Sequence, residues 1–177
     1  MADTVVMEGA TIKTALVRLA AEIIEKTEPF KGEIALVGVR TRGVPLARRL
    51  GKLLEATTGS HPKIGILDIT LYRDDLTTVG KQPIVRHTDL PFSVDESWVI
   101  LIDDVLYTGR TVRSAISALI DFGRPKTIQL LALIDRGNRE FPIHADYLGL
   151  KLATNPNQKV QVQLVEEDGI DEVVLSE

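Results

Sequence analysis

Cysteine is absent from this 177-residue chain, so neither a disulfide framework nor a Cys-ligated zinc site is open to it. Its three histidines, His61, His87 and His144, stand far apart and in no metal-binding spacing. No apolar run approaches the ~20 residues that cross a bilayer as a helix. Met1 to Gly9 carries Asp3 and Glu8 with no basic-then-apolar order, which argues against a secretory leader. No membrane contact and a cytoplasmic location are therefore expected. Internal repeats, low-complexity tracts and Ser/Gly linkers are also missing.

What is present has the profile of a soluble globular protein, with 44% hydrophobic and 26% charged residues. The length suits a single domain over residues 1–177 that buries enough surface to fold without staples. The net charge of −4 hides an asymmetry. Glu166 to Glu177 holds six acids and no Lys or Arg, and its removal takes the net charge from −4 to +2. The tail reads as a solvated end, and the body can carry a basic face.

The apolar positions Ile12, Ala15, Leu16, Leu19, Ala20, Ile23 and Ile24 follow the helical stripe over Ala10 to Glu28. Pro29 ends it, because the residue before a proline is pushed out of the helical region. Ile34 to Val39 reads as a buried strand. A helix follows from Pro45, with Leu46, Ala47, Leu50, Leu53 and Leu54 inward. Further strands are predicted at Ile64 to Leu71, Trp98 to Ile102, Ile128 to Ile134, Ala145 to Leu150 and around Val160, Val162 and Leu164, with a helix over Thr111 to Phe122. Alternating apolar strands and helices predict an α/β fold with a mostly parallel central sheet and flanking helices. Such sheets bind ligands beyond the carboxyl ends of their strands, so the residues there carry the chemistry.

After the first strand, Arg40-Thr41-Arg42-Gly43 runs into a helix. Two guanidinium groups beside free helix N–H groups favour an anion. After the third, Asp103-Asp104-Val105-Leu106-Tyr107-Thr108-Gly109-Arg110-Thr111 also leads into a helix. Backbone amides and threonine hydroxyls can cradle a phosphate monoester, and adjacent carboxylates can hold two vicinal hydroxyls or a hydrated Mg2+. A sugar phosphate needs both. The P-loop and dinucleotide glycine motifs are both missing; Gly38 and Gly43 have the P-loop spacing, but Val44-Pro45 follows in place of Lys-Thr.

Val99 to Thr111 resembles the phosphoribosyl-pyrophosphate (PRPP) signature of type I phosphoribosyltransferases. Asp68 to Leu76, Val105-Leu106-Tyr107, and Leu133-Ile134-Asp135-Arg136-Gly137 through Asp146-Tyr147 are similar to the PyrR family. Its members are regulators of pyrimidine-operon attenuation that also act as uracil phosphoribosyltransferases. The resemblance implies the type I phosphoribosyltransferase fold, with a small hood from the C-terminal part and a flexible loop at about 72–88. Asp103 and Asp104 would take the ribose hydroxyls, directly or through Mg2+. Val105, Leu106, Tyr107, Thr108, Gly109, Arg110 and Thr111 would wrap the 5-phosphate. Thr41 and Arg42 would hold pyrophosphate on a loop that in the family often carries a non-proline cis peptide. Arg86 would reach pyrophosphate on closure, and Arg136 and the backbone near Val160 would contact uracil. The implied products are UMP and pyrophosphate.

The same resemblance implies a homodimer or homotetramer that binds a leader-mRNA hairpin in response to UMP through a basic face including Arg18, Lys26 and Arg139. Asn138, His144 and Leu150 stand where better-known members have His, Arg and Lys, and Val17 and Ala21 replace polar neighbours of the arginine. Each lost cation removes a phosphate contact. Three alternatives stay open: a transferase without an RNA role, one acting on a purine base, and an RNA-binding regulator whose old active site only senses UMP, against which the intact Asp103, Asp104, Arg42 and Arg86 argue.

Overall fold

The computed structural model describes residues 3–75 and 86–177. Its core is a five-stranded sheet of β2 (Ile34–Val39), β3 (Lys63–Leu67), β4 (Trp98–Leu106), β5 (Thr127–Asp135) and β6 (Tyr147–Lys151) in the order β3-β2-β4-β5-β6. Every neighbouring pair is parallel. Side chains alternate across a strand, so each strand feeds two cores. Leu36, Ile100, Ile102, Leu131 and Leu133 face α1 (Gly9–Thr27) and α2 (Gly43–Thr58). Ala35, Val37, Val99, Leu101, Leu130 and Ala132 face α3 (Arg110–Ile120), whose Val112, Ala115, Ala118 and Leu119 are buried there. Covering both faces is what a parallel sheet of near-continuous apolar strands requires.

A second sheet is antiparallel, in the order β1-β8-β7, from β1 (Thr4–Glu8), β7 (Lys159–Gln163) and β8 (Glu172–Ser176). Its Met7, Val162 and Val173 join the core beneath α1 and α2, together with Leu164 just beyond β7. This small sheet and the turn between β7 and β8, here called the hood, draw on the N-terminus as well as the C-terminal part.

Three sequence expectations change. The strand expected to reach Leu71 stops at Leu67, because the Asp68 carboxylate accepts hydrogen bonds from the Thr70 N–H (2.9 Å) and closes a turn into a 3₁₀ segment over Thr70–Tyr72. The Trp98 strand continues to Leu106, since β5 keeps pairing with it through Asp103–Ala132 and Val105–Ile134. The acidic tail is no solvated end: it forms α4 (Val165–Asp168) and β8, the central strand of the hood.

Candidate functional site

A polar cavity of about 380 Å³ opens at the carboxyl ends of β2 and β3 and beside the last residues of β4. It is lined by Arg40 and Thr41 after β2, by Asp68, Ile69, Thr70 and Arg73 after β3, by Asp103, Asp104 and Val105 on β4, and by Arg86 and Thr111. Of the residues predicted from sequence, it gathers Thr41, Arg86, Asp103, Asp104, Val105 and Thr111.

The two carboxylates differ in setting. Asp103 is buried, with one oxygen accepting the Asp104 N–H at 3.0 Å. Burial, and then the charge of Asp104, hold its carboxyl well above the ordinary carboxylate range. Asp104 accepts the N–H of Val105 at 2.9 Å and is less enclosed. Two acids on consecutive residues of one strand are costly unless a cation or hydroxyl donors share them.

Beyond the pair, Gly109 adopts a left-handed conformation (φ 92°) at the start of α3. A Cβ there would be strained and would sit 3.1 Å from Phe141 Cβ. Gly109 at the N-cap brings no side-chain cap and no acid occupies the first turn of α3, so beyond the Arg110 N–H its leading amides and positive dipole end are left for an anion. Thr108 shapes the turn: its hydroxyl accepts the Arg110 N–H at 3.3 Å, and its carbonyl accepts the N–H groups of Glu140 and Phe141. Arg110 itself pairs with Asp74 and Glu140 on the outer side. Leu106 is turned into the α3-side core.

Across the cavity, the Arg40–Thr41 peptide bond is cis. Arg40 donates its backbone N–H to the Leu67 carbonyl (3.0 Å), tying the loop to the end of β3. Gly38 and Gly43 let this turn fold on itself, since a Cβ on Gly38 would lie 2.5 Å from the Gly43 carbonyl oxygen. Arg42 does not line the cavity; its guanidinium grips Asp168 of the hood through two hydrogen bonds of 2.7 and 3.0 Å. Asp68 also accepts the Arg86 N–H. Burial pushes the Asp68 carboxyl up, but the hydrogen bonds from Thr70 and Arg86 outweigh it and hold the group below its ordinary range. Leu76, Thr77, Thr78, Gly80 and Lys81 of the expected flexible loop lie outside the described residues.

Arg136, buried at the end of β5, bridges to the segment before β7. It donates to Thr154 Oγ1 (3.1 Å) and to the carbonyls of Asn155 (3.1 Å) and Gln158 (2.8 Å). Its guanidinium lies 4.0 Å over the Tyr107 ring, joining the segment before β7 to the turn that leads into α3. Val160 is half-buried on β7 against the main core. Arg18 and Lys26 share the α1 face along β6: Arg18 donates to the carbonyls of Leu148 and Gly149 at 3.0 and 2.8 Å, and Lys26 to that of Asp146 at 2.8 Å. Arg139 is placed apart from them, held by Asp135 (2.6 Å) and by the carbonyls of Tyr107 and Ile143.

Asp68, Thr70 and Arg73 are cavity residues not singled out in the sequence. They follow a strand, but reading that strand to Leu71, four residues beyond its end at Leu67, hides the turn that aims Asp68 and Thr70.

A family model described as "Phosphoribosyl transferase domain" matches residues 6–167. The chain is 52% identical over 172 residues to the "Bifunctional protein PyrR" of Pelotomaculum thermopropionicum, covering 97% of this chain and 94% of that one. It is 52% identical over 170 residues to the protein of that name from Deinococcus radiodurans, covering 96% and 92%. Among solved structures, a hypoxanthine phosphoribosyltransferase from Trypanosoma cruzi superposes with a TM-score of 0.75 at 19% identity, over 98% of this chain and 94% of that one. That likeness establishes the type I phosphoribosyltransferase fold.

Proposed function

The chain belongs to the PyrR family of phosphoribosyltransferase-fold proteins, and on that premise we propose that it transfers the phosphoribosyl group of PRPP to uracil, giving UMP and pyrophosphate, and that its UMP-bound form binds a leader-mRNA hairpin to regulate pyrimidine biosynthesis. One observation carries the catalytic half: a single cavity joins the Asp103–Asp104 pair, the start of α3 and the Thr41 loop. That spacing suits a ligand with two hydroxyls between two phosphate groups.

In this reading the amides of Tyr107 to Thr111 and the hydroxyls of Thr108 and Thr111 take the 5-phosphate. Asp103 and Asp104 accept hydrogen bonds from the ribose hydroxyls. The Thr41 loop, Arg42 and Arg86 neutralise pyrophosphate. Arg136 and the backbone near Val160 seat the uracil ring. Uracil N1 forms its bond to ribose C1 and releases its proton to solvent as the bond from C1 to pyrophosphate breaks, and charge grows on the departing oxygens where the cations stand. No covalent intermediate is called for, and positioning carries most of the catalysis.

Asp103 and Asp104 also fit an Mg2+ ion. They are hard oxygen donors, and among the described residues no cluster of three or more His, Cys, Asp or Glu side chains would cage a metal. Two carboxylates suit an ion that keeps most of its shell for water and substrate oxygens. Bound there, Mg2+ would supply charge neutralisation at the pyrophosphate.

Arg18 and Lys26 present charge along β6 for the RNA phosphates, and Arg139 acts through the loop it pins. Self-association as a dimer or tetramer belongs to the same proposal. Uracil, PRPP and Mg2+ mixed with the purified protein should yield UMP. Absence of UMP, or preference for a purine, would overturn the catalytic reading. A gel shift with leader RNA should appear with UMP and fade without it; a shift indifferent to UMP would remove the regulatory half.

A further inference from the structure

Within the loop after β2, Arg40 and Thr41 face the cavity while Arg42 turns to the hood. Its partner Asp168 is held rigidly. One oxygen of Asp168 accepts the Leu164 N–H at 2.9 Å, and the Asp168 N–H donates to the Leu164 carbonyl at 2.7 Å. The carboxylate is fixed by its own turn, and the long arginine side chain is the partner able to move. Both groups are partly shielded, with side-chain exposures of 28% and 17%, so water screens the pair less than an ordinary surface contact. Arg42 also feels the negative charges of Asp104 and Glu167. Two helical turns along α2, Arg49 grips Glu166 and Asp171, so the same hood turn is clamped to α2 independently of Arg42.

We infer that Asp168 is an internal counter-anion, a positioning residue that competes with the pyrophosphoryl group for the Arg42 guanidinium. The inference rests on the reading that the cavity takes PRPP and that Arg42 serves its pyrophosphate. An incoming pyrophosphoryl group must draw the guanidinium away from a carboxylate already in bidentate contact with it, which weakens binding. After transfer the carboxylate takes the guanidinium back, which eases departure of pyrophosphate. Neither exchange makes or breaks a covalent bond.

Calorimetric titration of the intact protein with magnesium pyrophosphate, and separately with PRPP, tests this. Asp168→Asn should tighten pyrophosphate binding about tenfold, the worth of one charge-assisted hydrogen-bonded pair, and should strengthen product inhibition by pyrophosphate equally. Asp168→Glu should restore the wild-type affinity. Asp171→Asn loosens the same turn through Arg49 and should leave pyrophosphate affinity within about twofold. A purely structural role for Asp168 predicts weaker binding on its loss, so unchanged or weakened pyrophosphate affinity in Asp168→Asn overturns the inference. Should that variant fail to fold, Arg42→Gln reads the same contest from the other side: about tenfold weaker pyrophosphate binding is expected, and no change overturns it. Wild-type protein that binds neither PRPP nor pyrophosphate would instead overturn the reading of the cavity itself.

Discussion

Gly43 stands against the backbone of Ile102: a Cβ at Gly43 would lie 2.2 Å from the Ile102 carbonyl oxygen. The start of α2 is thereby seated on β4 one residue before Asp103, which sets the anion loop and the acid pair at a fixed separation. Gly43→Ala must push two backbones apart. It should lower stability by about 1–3 kcal/mol and weaken PRPP binding by more than about tenfold. Thermal melting and PRPP titration check both effects, and an unaffected PRPP affinity would show that the separation is not critical.

Asp103 sets a buried carboxyl against the stability of the fold. Its carboxyl is held above the ordinary range by burial and by Asp104. The unfolded chain releases this proton at lower pH than the folded protein does. The Asp103 contribution therefore favours folding below the ordinary carboxylate range and is lost as pH rises toward its raised folded value. In magnesium-free buffer, Asp103→Asn should melt higher than wild type at pH 7, by about 2–4 °C per kcal/mol recovered. The difference should vanish toward pH 3. Together with Asp104→Asn it should abolish UMP formation. A lower melting point at pH 7 would contradict this account.

The Arg49 clamp predicts the reverse pH trend. Hydrogen bonds from Arg49 hold the Glu166 and Asp171 carboxyls below their ordinary ranges. Their contribution is present above those ordinary values and is lost as pH falls through the lowered folded ones. Arg49→Met should cost about 2 kcal/mol at pH 7, and the gap to wild type should narrow below about pH 4. Melting curves across pH 3–7 measure it; a gap that stays constant with pH would point to lost packing alone.

Arg136 holds two backbone carbonyls of the segment before β7 and lies over the Tyr107 ring. Arg136→Gln cannot span the same acceptors. It should raise KM for uracil by about tenfold or more while PRPP affinity, measured directly, changes little. An equal loss of both would mean that Arg136 supports the whole site and not the base.

Arg18 is anchored by β6 carbonyls yet keeps 48% of its side chain exposed. Arg18→Glu should abolish the leader-RNA gel shift, and Arg18→Ala should flatten the salt dependence of binding by about one counterion. UMP formation should persist in both. Loss of transfer along with RNA binding would show that the α1 face and the cavity are not separable.

The sheet, its helices and the acid pair were legible because their signals are local. Apolar runs such as Val99 to Ile102 mark strands, the 3.6-residue stripe from Ile12 to Ile24 marks a helix, and the two acids directly follow a buried run. The hood was not. Glu166, Asp168 and Asp171 of the tail read as solvated because their counter-charges are distant in sequence: Asp168 meets Arg42 across 126 positions, and Asp171 meets Arg49 across 122. Thr4–Glu8 is too short to declare itself, and it becomes a strand only through the partner that Glu172–Ser176 supplies. Arg42 was legible as a cation beside an anion loop, but its side-chain direction depends on the same distant carboxylate.

The place of β8 between β1 and β7 has a consequence for how the molecule is made. Thr4–Glu8 is synthesised more than 160 residues before Glu172–Ser176, its ladder partner. A nascent chain lacking Glu172–Ser176 can assemble the parallel sheet but must wait with Thr4–Glu8 unmatched, so premature termination there would leave a sound core under an unfinished roof.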